Sequence, residues 1–174
     1  MNLMQRALRI AVAGGMVAGI SVAIAGPAAH AATTDQSCSK VTGTVTISPG
    51  LTTTSASNTF TIKAKTSGCS AAGKGTGKIS GKFTANAACQ TFPNPFNTTL
   101  KTKWADLTTS TVKATFNVDT STLQATVTGT VTKGAFKGDA ISNKQQYTLA
   151  NGDCVSTPVT KITLKQLSNL VFSH

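Results

Sequence analysis

STVKATFNV at residues 110–118 and LQATVTGTV at residues 123–131, separated by the turn signal VDTS (118–121), decide how this chain is to be read. Val112, Ala114, Phe116 and Val118 fall on one side of the first stretch. Leu123, Ala125, Val127, Gly129 and Val131 fall on one side of the second, with mostly threonine, lysine and asparagine between them. A period of two in threonine- and valine-rich sequence is what a half-buried antiparallel strand needs.

The same alternation extends outward from this pair. VTGTVTI (41–47) sets Val41, Gly43, Val45 and Ile47 against threonines. FTIKAK (60–65) places Phe60, Ile62 and Ala64 inward, with Lys63 and Lys65 outward. KISGKFTA (78–85) does the same with Ile79, Gly81 and Phe83 against Lys78 and Lys82. Turn signals recur at SPG (48–50), SASN (55–58), PNP (93–95) and NGD (151–153). Many short strands with regular turns predict an all-β domain, an antiparallel sandwich or barrel. TKITLKQLSNLVF (160–172) reads as a final strand. ISNKQQYTLANGDC (141–154) has the weakest pattern and is expected to hold a longer loop.

The N-terminus has a different character. Arg6 and Arg9 precede the apolar run IAVAGGMVAGISVAIAG, Pro27 breaks it, and Ala29-His30-Ala31 supplies a small-x-small cleavage pattern. Residues 1–31 are therefore expected to be a secretory signal peptide and 32–174 a single all-β domain, with no integral membrane segment after processing. The expected location is extracellular or the cell envelope. An outer-membrane barrel fits poorly, because outward positions carry threonine and lysine rather than an apolar band with aromatic girdles.

Charge and cysteine content narrow the function. The full chain carries a formal charge of +11 at pH 7. Beyond residue 31 it has no arginine, no glutamate and one histidine, His174. General acid–base catalysis and metal sites draw on the residues that are scarce here, so the reading is non-enzymatic, with no metal and no cofactor. A hydrolase would have to use Asp35, Asp106, Asp119, Asp139 or Asp153, none of which sits in a recognisable motif. Cys38, Cys69, Cys89 and Cys154 predict two disulfides in an exported chain. Three connectivities are open; the pairing expected is Cys69–Cys89, closing a local loop, with Cys38–Cys154 tying the ends together.

Three stretches invite functional readings. GCSAAGKG (68–75) has the spacing of a phosphate-binding loop in Gly68, Gly73 and Lys74. Gly75 stands where such a loop needs a hydroxyl, and a strand rather than a helix follows, so it reads as a glycine-rich turn with no nucleotide. Lys63, Lys65, Lys78, Lys82, Lys101, Lys103 and Lys113 lie on polar strand faces. They form either a basic patch for an anionic envelope polymer or charges that keep strand edges from aggregating. CQTFPNPFN (89–97) sets Phe92 and Phe96 around Pro93 and Pro95. It is either a stiff recognition loop or a place where two rings cap the core.

A wider pattern joins these pieces: Cys38, Pro49-Gly50-Leu51, Cys69, Cys89, Trp104-Ala105-Asp106, the run Gly129-x-Val131-x-x-Gly134-x-Phe136-x-Gly138, and Cys154. It resembles a group of small exported actinobacterial β-rich proteins of unknown function, across nearly the whole chain after residue 31. The resemblance implies secretion, a disulfide-linked β fold and an actinobacterial source. The expected function is a binding or structural role at or outside the cell envelope, with an anionic polymer or another secreted protein as partner. The alternatives are a protease-inhibitor-like protein using the 89–97 loop and, less favoured, an aspartate-dependent hydrolase.

Overall fold

The computed structural model describes residues 32–174; the expected signal peptide, residues 1–31, lies outside the described residues. The described chain forms nine strands: β1 (Thr34–Leu51), β2 (Ala56–Cys69), β3 (Thr76–Ala87), β4 (Phe96–Trp104), β5 (Thr109–Asp119), β6 (Gln124–Gly134), β7 (Ala140–Asn151), β8 (Val159–Gln166) and β9 (Leu170–Ser173). Each strand from β1 to β8 pairs antiparallel with the next, and β8 pairs back onto β1. Eight strand positions thus close an up-and-down barrel, which leaves no open sheet edge. Of the two architectures expected from the sequence, the barrel is the one formed.

The alternation read from the sequence sorts side chains between lumen and solvent. Val41, Ile47, Phe60, Ile62, Ala64, Val112, Ala114, Phe116, Ala125, Val127 and Val131 are buried. Gly129 and Gly43 occupy inward positions where the backbones approach closely. A Cβ on Gly129 would lie 2.3 Å from the Lys113 carbonyl oxygen, and one on Gly43 would lie 2.5 Å from the Ala64 Cβ. A larger residue there would push neighbouring strands apart.

The two ends of the barrel differ. At one end Trp104, Phe136 and Phe172 fill the lumen, with ring centroids 5.2–5.7 Å apart. Trp104 Nε1 donates to Ser110 Oγ at 2.8 Å, and Ser110 Oγ donates to the Ala135 carbonyl at 2.6 Å, so the buried indole keeps its hydrogen bond. At the other end the loops after β1, β3, β5 and β7 surround a mouth.

Three expectations need correction. The disulfides are Cys38–Cys69 and Cys89–Cys154, not Cys69–Cys89 and Cys38–Cys154. Cys69 and Cys89 are separated by β3, whose 12 residues at about 3.4 Å each carry them to opposite ends of the barrel. Cys38 instead faces Cys69 directly across β1 and β2 at the filled end. Cys89–Cys154 ties the loop after β3 to the loop after β7 at the mouth. The second correction concerns 141–154, which is chiefly a strand. β7 points Ile141, Asn143, Gln145 and Tyr147 inward, all buried, and the two polar residues among them disguise the alternation.

The final strand is broken rather than continuous. β8 lies between β7 and β1 toward the mouth, and β9 takes the same place toward the filled end. Between them the chain bulges at Leu167–Asn169, where the Leu167 and Ser168 amides both donate to the Lys144 carbonyl.

Candidate functional site

The mouth opens into a cavity of about 170 Å³. One wall follows directly from strand register. Phe60 on β2 stands opposite Phe83 on β3, and Phe96 on β4 stands opposite Phe116 on β5. The four rings stack in one row across four strands, at centroid spacings of 4.7, 4.6 and 4.7 Å. Stacked pairs contribute about 0.5–1.5 kcal/mol each beyond their buried area. Phe92 crosses this row edge-on, 5.2 Å from both Phe60 and Phe96.

The 89–97 loop is therefore built around inward rings. Phe92, Pro93 and Phe96 are half-buried, while Asn94 and Pro95 face solvent. Asn94 fixes the loop to β5 by accepting from the Val118 amide and donating to the Val118 carbonyl, both at 2.9 Å. Across the mouth, Leu123 (40 % exposed) and Leu149 (44 % exposed) line the cavity and reach solvent, so it is an apolar opening rather than a sealed void.

The floor is polar at one point. Gln145 lines this cavity and also a smaller one of about 50 Å³ deeper in the lumen. Its orientation is dictated by a chain of bonds that begins at the β8–β9 bulge. The Ser168 carbonyl can only accept, and Asn143 Nδ2 donates to it at 2.7 Å. Asn143 Oδ1 therefore faces Gln145, whose Nε2 donates to it at 2.6 Å. What remains is Gln145 Oε1, buried and without a hydrogen-bond partner. Nearly all buried polar groups in folded proteins are paired, so this free acceptor is an unmet hydrogen bond. Tyr147 stands beside it on β7, with its hydroxyl donating to the Asp119 carbonyl at 3.3 Å. Burial, with a contribution from the Asp119 carboxylate, raises the pKa of this phenol above its usual range, so it remains a neutral donor.

The lysines singled out from sequence fall on the outer face of β2–β5. Lys65, Lys78 and Lys103 are directly opposed across three strands, and Lys63 and Lys101 flank Ser80 in the next row. Lys82 lies further along β3, opposite Thr61, and Lys113 is on β5 opposite Thr99. Lys74, by contrast, pairs with Asp106. The loop around it is tied down by Gln36, which accepts from the Ala71 amide at 2.6 Å, and its Gly68 and Gly73 adopt positive φ as a turn requires.

The aspartates divide into two kinds. Asp119 accepts from the Ser121 and Thr122 amides and Asp153 from three successive amides, closing turns. Hydrogen bonds from Ser121 and Thr122 hold Asp119 down to about 2, and backbone bonds lower Asp153 as well. Asp106 is held down to about 2 by Lys74 and Thr108. Asp35 and Asp139 instead meet His174 at the filled end, within 4.8 Å of one another. Burial, and next the Asp35 carboxylate, push Asp139 up.

Gln145, Asn143, Tyr147, Leu123 and Leu149 were not singled out as site residues by sequence reasoning. The available signal was the even spacing of Ile141, Asn143, Gln145 and Tyr147, apolar at both ends and amide in the middle. No helix among the described residues is long and apolar enough to cross a membrane. No protein-family model, curated protein or solved structure matches the chain.

Proposed function

We propose that the protein is a secreted, non-catalytic binding protein of the cell exterior that takes one small, mainly apolar molecule into the barrel mouth. The observation that carries this reading is the cavity itself, walled by phenylalanines and open at the mouth, with Gln145, whose Oε1 lacks a partner, in its lining. An eight-stranded barrel is just wide enough to fill with side chains or to hold one small ligand. Apolar lining with one placed polar group is the usual chemistry of a ligand pocket. The cavity is of the size that holds a single benzene ring, for which about 150 Å³ suffices. The ligand class is therefore an aromatic or short alkyl body bearing one hydroxyl or N–H donor, with any longer part leaving between Leu123 and Leu149. Two disulfides suit an oxidising compartment. Inward Phe92 and Phe96 favour this reading over an inhibitor loop, which would present them outward.

Phenol is a suitable probe. Calorimetric titration of the oxidised protein should show one site per chain, lost or strongly weakened when Leu123→Asp places a charge at the mouth. Absence of saturable phenol binding, or binding indifferent to that substitution, would overturn the reading.

A second reading rests on a separate observation. Lys65, Lys78 and Lys103 stand in directly paired positions, where like charges oppose stability. Their alignment supports attachment of the outer face to an anionic envelope polymer. Retention on immobilised polyphosphate should fall with rising salt and fall further when all three become glutamine. Retention insensitive to salt would remove this reading.

A further inference from the structure

Asp35, Asp139 and His174 come from three separate segments, and the barrel closure brings them together at the end opposite the mouth. His174 directly follows β9, which is threaded between β1 and β7; the His174 and Thr33 backbones exchange hydrogen bonds at 3.1 and 2.8 Å. Asp139 immediately precedes β7, whose Ala140 pairs with Ser173. Asp35 is the extra residue of a bulge, since Thr34 pairs with Ser173 and Gln36 with Phe172. Bulges re-aim a side chain, and this one turns Asp35 to His174, whose Nδ1 lies 2.6 Å from Asp35 Oδ2.

The third member supplies the independent observation. Asp139 is only 4 % exposed, and its Oδ2 is buried with no hydrogen-bond partner. A carboxylate taken out of water without a partner is strongly disfavoured. One donor atom from each residue, a carboxylate oxygen of Asp139 among them, lies inside a 4.8 Å span. Metal bonds of about 2.0–2.2 Å set tetrahedral donors about 3.4 Å apart, so the wider separations must close and the 2.6 Å His174–Asp35 pair must open, which the largely exposed His174 ring can accommodate by rotating.

We infer that Asp35, Asp139 and His174 form a binding site for one divalent transition-metal ion, with zinc the best match. An imidazole nitrogen with two carboxylate oxygens suits zinc and neighbouring first-row ions, and the exposed side leaves room for water as a further ligand. Binding replaces the His174–Asp35 hydrogen bond with two metal bonds and gives the buried Asp139 carboxylate a cation partner. It also crosslinks β9 to β1 and β7 at the place where the barrel's final strand is broken. The site is remote from the mouth, so this inference and the proposed ligand cavity stand or fall separately.

The test is calorimetric titration of zinc chloride into untagged, oxidised protein near neutral pH. One ion should bind per chain. His174→Ala, at an exposed side chain that the fold does not need, should weaken binding at least about tenfold, the smaller loss seen when even a supporting group is removed from a metal site. Asp139→Asn should do the same, with circular dichroism confirming an unchanged barrel. Asp153→Asn, in a turn on the other end, should leave zinc affinity unchanged. No binding at millimolar zinc, or affinity unaltered by His174→Ala, would overturn the assignment.

Discussion

Replacing Gln145 with leucine isolates the one polar contact that the cavity offers. Phenol and toluene have the same shape and differ in a hydroxyl against a methyl. In the proposed complex the phenol hydroxyl donates to Gln145 Oε1, which has neither a partner nor accessible surface in the free protein, so a small side-chain rotation accompanies binding. In Gln145→Leu the hydroxyl is buried against carbon and keeps no partner, at a cost of about 1–3 kcal/mol. Toluene loses nothing, because it left Oε1 unpaired from the start. The phenol-to-toluene affinity ratio should therefore fall by about 5- to 150-fold in the variant. Stability should change little, because two effects oppose. The substitution removes an unpaired oxygen but deprives Asn143 Oδ1 of its donor at 2.6 Å, and each is worth about 1–3 kcal/mol. Titration calorimetry of both compounds against both proteins, with urea unfolding as a control, measures all of these quantities. An unchanged ratio, with both ligands bound and both proteins folded, would refute the role given to Gln145.

Four further outcomes follow from the same structure. Converting Cys89 and Cys154 to serine opens a crosslink spanning 65 residues; chain entropy puts the loss at about 4 kcal/mol, readable by urea unfolding, and phenol binding should weaken as the 89–97 loop loosens. Removing Cys38–Cys69 should destabilise by a similar, slightly smaller amount, because that crosslink spans 31 residues, yet leave phenol affinity nearly intact since it lies at the other end. Ser110→Ala strips the buried Trp104 Nε1 of its acceptor and should cost about 1–3 kcal/mol in the same assay. Asp106 is held below its unfolded value, so the stability it contributes is complete above about pH 4 and disappears as pH falls through about 2; the stability gap between native protein and Asp106→Asn should close over that window and persist at pH 6.

The barrel was legible wherever lumen and solvent positions differ in polarity. Phe60, Ile62 and Ala64 against Lys63 and Lys65 leave no doubt about which face is inside, and the same holds for 110–131. β7 escaped because the residues that matter most there, Asn143 and Gln145, are polar and inward, so burial and hydropathy disagree. The cavity floor was therefore hidden in the segment that read as a loop. The stacking of Phe60, Phe83, Phe96 and Phe116 could not be seen either. Alternation turned Phe60, Phe83 and Phe116 inward and left Phe96 open between a recognition loop and a core cap. The alignment of the four depends on the registers of three successive strand pairs, which alternation alone does not set. The disulfides failed for a related reason: proximity along the chain was taken for proximity in space, while a 12-residue strand lay between Cys69 and Cys89. Asp35, Asp139 and His174, spaced over 139 residues, meet only because β9 is inserted between β1 and β7.

The most direct measurement is a methyl NMR titration of the oxidised protein with phenol. Binding in the mouth should shift Leu149, Val118, Leu123 and Leu164, which line the cavity, along one saturable curve, while Leu107 and Leu167 outside it stay fixed. Saturable shifts centred on Leu107 or Leu167, or no saturation at any methyl, would contradict a ligand-binding barrel.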